Sequence, residues 1–479
     1  MNILVIGNGF DLAHGLPTKY TDFLEFCRIV KRIYSVYNGE NEIFEDIWKQ
    51  LNIRNADEKV MKETFRSIFL CRKINIFNLP REPINYIVSI NTLYDELYKC
   101  IYKNFWIDYF EDKSMFQKEG WIDFESEISR IIQSIDNDMK TDEENENMII
   151  SRLTNMYLAE KFLDDSFEKE KEVEEKIKIE IAKMEKKEER KWHLDRKIEY
   201  LKKFMDHHPI RFSENSITYK ELIKKLEDDL NRLIRALEIY LAEYVESFKC
   251  NKLLPDIQKY HFDGILSFNY TDTYARLYGL SHISEYDYIH GKAELSHTAK
   301  TNNMVLGIDE YLSDERKNKD VDFIGFKKYY QRIYKETGCE YKKWISQIQK
   351  KNDRYLEDKD YYEKMRRDAR QSGNFIEESK WRMEMEKLDK RNEINNLYIF
   401  GHSLDVTDKD ILRDLILNDN VYTTIYYHKT YDENGKDDNG RSDLGSKIAN
   451  LVKIIGQDEL IKRTGGSTKT IEFKLQQEI

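Results

Sequence analysis

Asn2-Ile3-Leu4-Val5-Ile6-Gly7-Asn8-Gly9-Phe10-Asp11 is the stretch from which the fold can be read. Four consecutive apolar residues ended by glycine read as a short strand buried on both faces, the signature of a parallel α/β sheet. Glycine at positions 7 and 9 lets the backbone turn tightly and approach a ligand, while the amides of a following helix point toward negative charge. The outline is a nucleotide or phosphate loop. The full dinucleotide fingerprint places a third glycine at position 12, where this chain has Leu12, so the ordinary reading of the motif fails.

Similar short runs return only far downstream, at Gly264–Phe268, Tyr286–Ile289, Asn303–Leu306, Leu397–Phe400 and Val421–Tyr427. The sheet is therefore expected to gather segments distant in sequence. After Pro17 the pattern turns helical, with Tyr20, Phe23, Leu24, Cys27 and Val30 on one face. The stretch from Glu168 to Lys203 reads as a solvated, charge-rich helix, and Leu226, Leu230, Leu233, Leu237, Tyr240 and Tyr244 make a seam expected to pack on a helix of the same chain. Lys350–Lys390 is again charged and helical, with Tyr355, Tyr361, Tyr362, Trp381 and Met385 as anchors. Tyr431–Asp443 reads as a surface loop and a helix follows from about Leu444.

The composition agrees with this outline. In 479 residues there are 19 glycines and 5 prolines, too few turn formers for an all-β chain, and 35% of residues are charged. A net charge of −11 gives no global attraction to nucleic acid or anionic lipid. Five scattered cysteines with no CxxC pair indicate reduced thiols and no local zinc site, so no metal is expected. With no secretory pattern and no apolar run of membrane-spanning length, the expectation is a cytoplasmic protein.

Three further constellations follow strands: Ser267-Phe268-Asn269-Tyr270-Thr271-Asp272, Ile289-His290-Gly291 and Gly401-His402-Ser403-Leu404-Asp405. Loops after parallel strands gather at one sheet edge, where ligands bind at a switch point. An Asn and a His emerging there can hold a ribose and move a proton near neutral pH. A rival reading makes Ser403 a hydrolase nucleophile with His428 and Asp408 or Asp414, but Asp405 stands where that motif wants glycine.

Gly7-Asn8-Gly9-Phe10-Asp11, Leu12-Ala13-His14-Gly15-Leu16-Pro17 and Thr18-x-Tyr20-x-Asp22-Phe23 resemble the AbiH-type bacteriophage abortive-infection family. Phe268-Asn269-Tyr270-Thr271, Ile289-His290-Gly291, Gly307-Ile308-Asp309 and Gly401-His402-Ser403-Leu404 with Asp408 continue the likeness in order, nearly end to end. That family is similar in turn to sirtuin-like NAD-binding proteins.

The resemblance implies an α/β, Rossmann-like and sirtuin-like parallel sheet formed by residues 1–20 and 251–479. A helical insertion at 21–250, part of it covering the site, and a smaller one at 315–393 would interrupt it. It also implies that Gly7, Asn8, Gly9, Phe10 and Asp11 contact NAD, with Gly7 and Gly9 cradling its pyrophosphate. Ser267 would lie beside them, and Gly401 and Ser403 would meet the adenosine half. Asn269 and His290 would be catalytic, one positioning the nicotinamide ribose or a water and the other acting as base. Thr271 stands where sirtuin-like enzymes have aspartate, and no four-cysteine zinc ribbon can be built, so hydrolysis of NAD is expected before deacylation. The alternative is a non-catalytic nucleotide-binding sensor or assembly module. Expected partners are NAD or a related nucleotide, a phage-derived trigger and further copies of the chain through the helical insertions, with no membrane or nucleic acid. A nuclease ranks behind both readings, since no spaced metal-ligand motif stands out.

Overall fold

The computed structural model describes residues 1–37, 93–116, 123–142, 219–248, 253–279, 284–312, 321–392, 394–430 and 438–477, together with Cys250 and Arg316. The charged stretch 168–203 and most of the loop 431–443 lie outside the described residues.

Six strands form one parallel sheet: β1 (Asn2–Ile6), β2 (Gly264–Ser267), β3 (Glu285–Tyr288), β4 (Asn395–Phe400), β5 (Val421–Tyr427) and β6 (Ile471–Leu475). Their spatial order is β3-β2-β1-β4-β5-β6, the doubly wound Rossmann order, whose direction of winding reverses between β1 and β4. In β1, Ile3 and Val5 face one core with Leu266, Leu397, Ile399 and Ile425, while Leu4 and Ile6 face the other with Ile265, Tyr398 and Phe400. The unbroken apolar run follows from this double burial. The edge strand β6 carries no comparable run, because Glu472 and Lys474 alternate with its apolar residues and all but Ile471 are only half-buried.

The sequence suggests a strand at Asn303–Leu306, but the structure has none there. The segment is extended without a ladder, and other groups take its backbone. Val305 N–H donates to the His290 carbonyl (2.8 Å), Tyr270 Oη donates to the Val305 carbonyl (2.7 Å), and the Gln331 carboxamide bonds both Leu306 N–H (3.0 Å) and Leu306 C=O (2.9 Å). Met304 and Leu306 bury into a helical core instead of a sheet. A side-chain amide here replaces a neighbouring strand.

α1 (Asn8–Ala13) packs under the sheet edge through Phe10, and the helical core is built by α2 (Tyr20–Tyr37), a helix over 93–101, α3 (Phe105–Phe116), α4 (Phe124–Asp142) and α5 (Tyr219–Ile239). α5 is followed by a π-helical turn, Tyr240–Tyr244, and the whole seam from Leu226 to Tyr244 is buried among these helices. Trp106 anchors α3 on α5 by donating Nε1–H to the Leu226 carbonyl (2.8 Å). Between β2 and β4 come α6 (Thr273–Tyr278), α7 (Lys328–Tyr334), α8 (Tyr341–Gln371) and α9 (Phe375–Arg391). The first turns of α8 belong to the sheet core through Tyr341, Trp344, Ile345 and Ile348. Beyond them α8 and α9 run as a hairpin in which Tyr362 stacks on Trp381 at 5.8 Å. α10 (Lys409–Ile416), α11 (Arg441–Ile455) and α12 (Gln457–Thr464) complete the cover of β4 to β6.

Candidate functional site

A cavity of about 1390 Å³ opens at the C-terminal edge of the sheet, larger than the ~300–1,000 Å³ of an ordinary ligand pocket. The loops after β1, β2, β3 and β4 form its floor, and the first turns of α4 together with Lys328 close it from the helical side. Asn8, Gly7, Gly9, Asp11, Asn269, His290, Gly401 and Ser403 all line it.

Two expected site residues do not. Phe10 is fully buried beneath the loop, with its ring 4.5 Å from His14 and 6.0 Å from Phe400, so it belongs to the apolar core under the sheet edge. Ser267 is also buried. Its hydroxyl donates to the Asn269 carbonyl and accepts from the Asn269 amide (both 3.1 Å), shaping the turn that presents Asn269.

The glycine loop serves another loop. A Cβ on Gly7 would lie 2.8 Å from His402 Cα, and one on Gly9 would lie 2.7 Å from Gly401 Cα. Gly401 has φ +67°, and a Cβ there would meet Phe10 N at 2.1 Å. The Gly7 and Gly9 amides donate to the carbonyls of Phe400 (3.2 Å) and Gly401 (2.8 Å), so neither is free to cradle a pyrophosphate as the sequence suggests. With only six residues, α1 adds little dipole. The glycines at 7, 9 and 401 are the condition for packing the loops of β1 and β4 at the switch point. Leu404, at φ +59° and fully buried, stores further strain in the same loop.

The joined loops bring the polar side chains together. Asn269 Nδ2 donates to the Gly7 carbonyl (3.0 Å), leaving Oδ1 without a hydrogen-bond partner among the described residues. Asp408, at the start of α10, faces two imidazoles, with His290 Nε2 at 3.5 Å and His402 Nε2 at 3.4 Å. Leu404 N–H donates to His402 Nδ1 (2.9 Å), so in the neutral ring the proton sits on Nε2, toward Asp408. Burial alone would push the Asp408 carboxyl up, but the two histidines and the Lys328 charge outweigh it and hold it well below the usual carboxylate range. Lys328, itself nearly fully buried, pairs with Glu125 at 2.7 Å. Burial would lower its amine, yet Glu125 and Asp408 raise it above the usual lysine value. Asp309 completes the cluster, pushed up to about 6 by burial against the opposing pull of Lys328.

Asp11 lines the same cavity. Thr271 Oγ1 donates to its Oδ2 (2.6 Å), while Oδ1 is buried without a partner. Thr271, at the position where aspartate was the resemblance's expectation, thus acts as a donor to the aspartate of the first loop. Burial raises Asp11 to about 6 against the Thr271 hydrogen bond and the neighbouring Thr273 hydroxyl, which lower it. A raised folded-state value means that ionisation opposes folding, so stability is gained as pH falls through the window from about 6 toward the unfolded value near 4. Asp11→Asn keeps the shape and removes the charge. It is expected to unfold at higher temperature than the parent at pH 8, by an amount corresponding to about 3 kcal/mol at most, with the advantage shrinking as pH drops from 6 to 4. Calorimetric melting at several pH values measures it, and an advantage independent of pH would refute the assignment.

The hydrolase triad of Ser403, His428 and Asp408 or Asp414 does not assemble. His428 Nδ1 pairs with Asp443 at 2.8 Å, Asp408 faces His290 and His402, and Asp414 takes Lys342. Asp405 instead accepts from Thr407 N–H (3.0 Å) and caps the turn before α10. Among the described residues no group of three or more His, Cys, Asp or Glu side chains is placed to hold a metal ion, and no helix is long and apolar enough to cross a membrane. Nothing in the sequence marks Glu125 or Lys328, since each lies in a helical segment with no strand-end signal.

Fold and site together define a Rossmann-like α/β protein with a large cavity, lined by carboxyl and imidazole side chains, at its topological switch point. The family model of the bacteriophage abortive infection protein AbiH matches residues 3–428, and the chain belongs to that family. Its role is accordingly in abortive infection by bacteriophage. No curated protein and no solved structure gives a significant match.

Proposed function

We propose that this abortive-infection protein binds NAD in the switch-point cavity and hydrolyses its nicotinamide–ribose bond. The observation that carries the reading is His290 set against the ionised Asp408, in a cavity that Asn269 also lines and that helical-body residues border. With Nε2 turned to Asp408, His290 Nδ1 is the nitrogen left to take a proton. A water attacking the ribose C1′ gives up that proton to Nδ1, the C1′–N bond breaks, and nicotinamide leaves as a neutral base with the bonding electron pair. Asp408 stabilises the imidazolium that forms, and Asn269 Oδ1 is suited to hold the water or a ribose hydroxyl. The unpartnered Oδ1 of Asp11 is a further acceptor for a sugar hydroxyl.

The test is nicotinamide release from NAD by the purified chain, with and without lysate of phage-infected cells, beside Asn269→Ala and His290→Ala. Turnover is expected in the parent and is expected to fall about 10²-fold or more in each variant. Binding of NAD without release in any condition would replace the hydrolase by a nucleotide sensor. Absence of binding would remove NAD from the proposal.

A further inference from the structure

Thr18 opens the Thr18-x-Tyr20-x-Asp22-Phe23 motif, yet the helix it precedes makes no use of its hydroxyl. The start of α2 is satisfied without it, since Lys19 N–H donates to Asp22 Oδ2 (3.1 Å). Thr18 spends only its backbone: its N–H donates to the Leu16 carbonyl (2.9 Å) and its carbonyl accepts from Asn8 Nδ2 (3.2 Å). Thr18 lines the cavity, and its Oγ1 is buried without a partner among the described residues. The helical body fixes this segment. Tyr240, at the start of the π-helical turn, donates Oη–H to the Pro17 carbonyl (2.6 Å), and the next residue, Leu241, lines the cavity as well. Such turns within helices are frequent at functional sites.

Asp11 belongs to the same wall. Asn8 and Asp11 are three residues apart on α1 and share one face, so the carboxyl neighbours the amide that holds Thr18. A chain of hydroxyls pins that carboxyl: Thr273 Oγ1 donates to Thr271 Oγ1 (3.2 Å), which donates to Asp11 Oδ2 (2.6 Å). Oδ1 is left as a second buried atom with no partner among the described residues, on a side chain only 1% exposed. Both atoms are costly to bury unless a ligand completes them.

Their chemistry is selective. The carboxylate oxygen can only accept, while the hydroxyl has one proton to give and lone pairs to fill. An ammonium would satisfy Asp11 but could not take the Thr18 proton. A phosphate would meet the negative charge that Asp11, titrating at about 6, carries at neutral pH. Two neighbouring hydroxyls answer both groups, one donating to Asp11 and the other exchanging a hydrogen bond with Thr18.

We infer that Asp11 Oδ1 and Thr18 Oγ1 form a subsite for adjacent hydroxyls of a sugar. The inference deepens the hydrolase reading and rests on it only for the identity of that sugar, the ribose that carries nicotinamide, because Thr271, bonded to Asp11, lies two residues beyond Asn269. The helical body thereby shares in ligand recognition, since Tyr240 anchors the segment that presents Thr18.

The test is calorimetric titration of the full chain with ADP-ribose, which ends in a free ribose, and with ADP, which stops short of it. ADP-ribose is expected to bind about tenfold tighter or more, on the scale of a hydrogen bond to a charged group. Thr18→Val keeps the shape and removes the hydroxyl. Asp11→Asn turns an amide NH₂ toward the ligand, because the Thr271 hydroxyl claims the oxygen. In each variant the preference is expected to fall about threefold or more, while affinity for ADP stays within about twofold and shows that the chain is folded. Equal affinities in the parent, binding of neither probe, equal weakening of both probes, or a preference that survives either substitution would overturn the subsite, whether or not NAD is cleaved. A preference lost in both variants of a protein that leaves NAD intact would instead overturn the hydrolase and leave the subsite standing.

Discussion

Asp408→Asn is expected to lower nicotinamide release about 10⁴-fold, the scale on which replacing a histidine-orienting aspartate by its amide acts in acid–base catalysis. Asp408 is one carboxylate shared by His290 and His402, at 3.5 and 3.4 Å. The Leu404 N–H bonded to His402 Nδ1 obliges that ring to present Nε2–H. An amide has one oxygen to accept and an NH₂ that can only donate, so one imidazole must change tautomer or turn away. The loss should fall on kcat, because the carboxylate matters most when the imidazolium forms, and the KM for NAD should move little. Since the charges around Asp408 hold it ionised well below neutrality, the parent pH profile should show no limb from this group above pH 5. A rise in KM with kcat unchanged would mean that Asp408 only holds the loop together.

The second large effect is on stability. Glu238→Ala is expected to cost about 3–5 kcal/mol, the range for removing one partner of a buried pair and stranding the other. Glu238 is fully buried on α5, paired with the equally buried Arg235 at 2.6 Å. It also accepts from Asn302 Nδ2, from His297 Nδ1 (2.6 Å) and from Glu294 N–H (3.2 Å). Arg235 keeps a second contact to Glu96 at 3.0 Å, which places the loss toward the lower end of the range. Denaturant unfolding measures it. Removing both charges, as in Arg235→Met with Glu238→Leu, should recover part of the loss because no fully buried ion is stranded; Glu96, which also loses Arg235, is partly exposed and regains water. The site should suffer too, since this network fixes the segment 294–302 that leads away from His290. A single substitution costing under 1 kcal/mol would show that water reaches the pair.

The strand-end motifs were legible because parallel sheets put chemistry after strands, and the apolar runs at 2–6, 264–267 and 395–400 have one physical explanation. Which residue of a motif reaches the cavity was not. In Gly7-Asn8-Gly9-Phe10-Asp11 the chain turns into a helix, so Phe10 and Asp11 point to different environments, one into the aromatic core and one onto the cavity. Ser267 is spent on the turn that positions its neighbour. The strand expected at Asn303–Leu306 failed because apolar content does not reveal whether a ladder partner exists, and here Gln331 stands in for one. β6 shows no apolar run because an edge strand needs only one apolar face. Glu125 and Lys328 meet across some two hundred residues by packing alone, which no local pattern encodes.

The same architecture governs when the cavity can assemble during synthesis. Asn2 pairs with Asn396 across 394 residues, and β1 has no complete neighbourhood until β4 exists. At roughly 5–20 residues per second of synthesis, the first strand waits on the order of 20–80 s for its partner. Asp408, Ser403 and Lys447 arrive later still, so a chain cut before them lacks that wall of the cavity. The cavity of this abortive-infection protein therefore cannot be complete before Lys447 has been made.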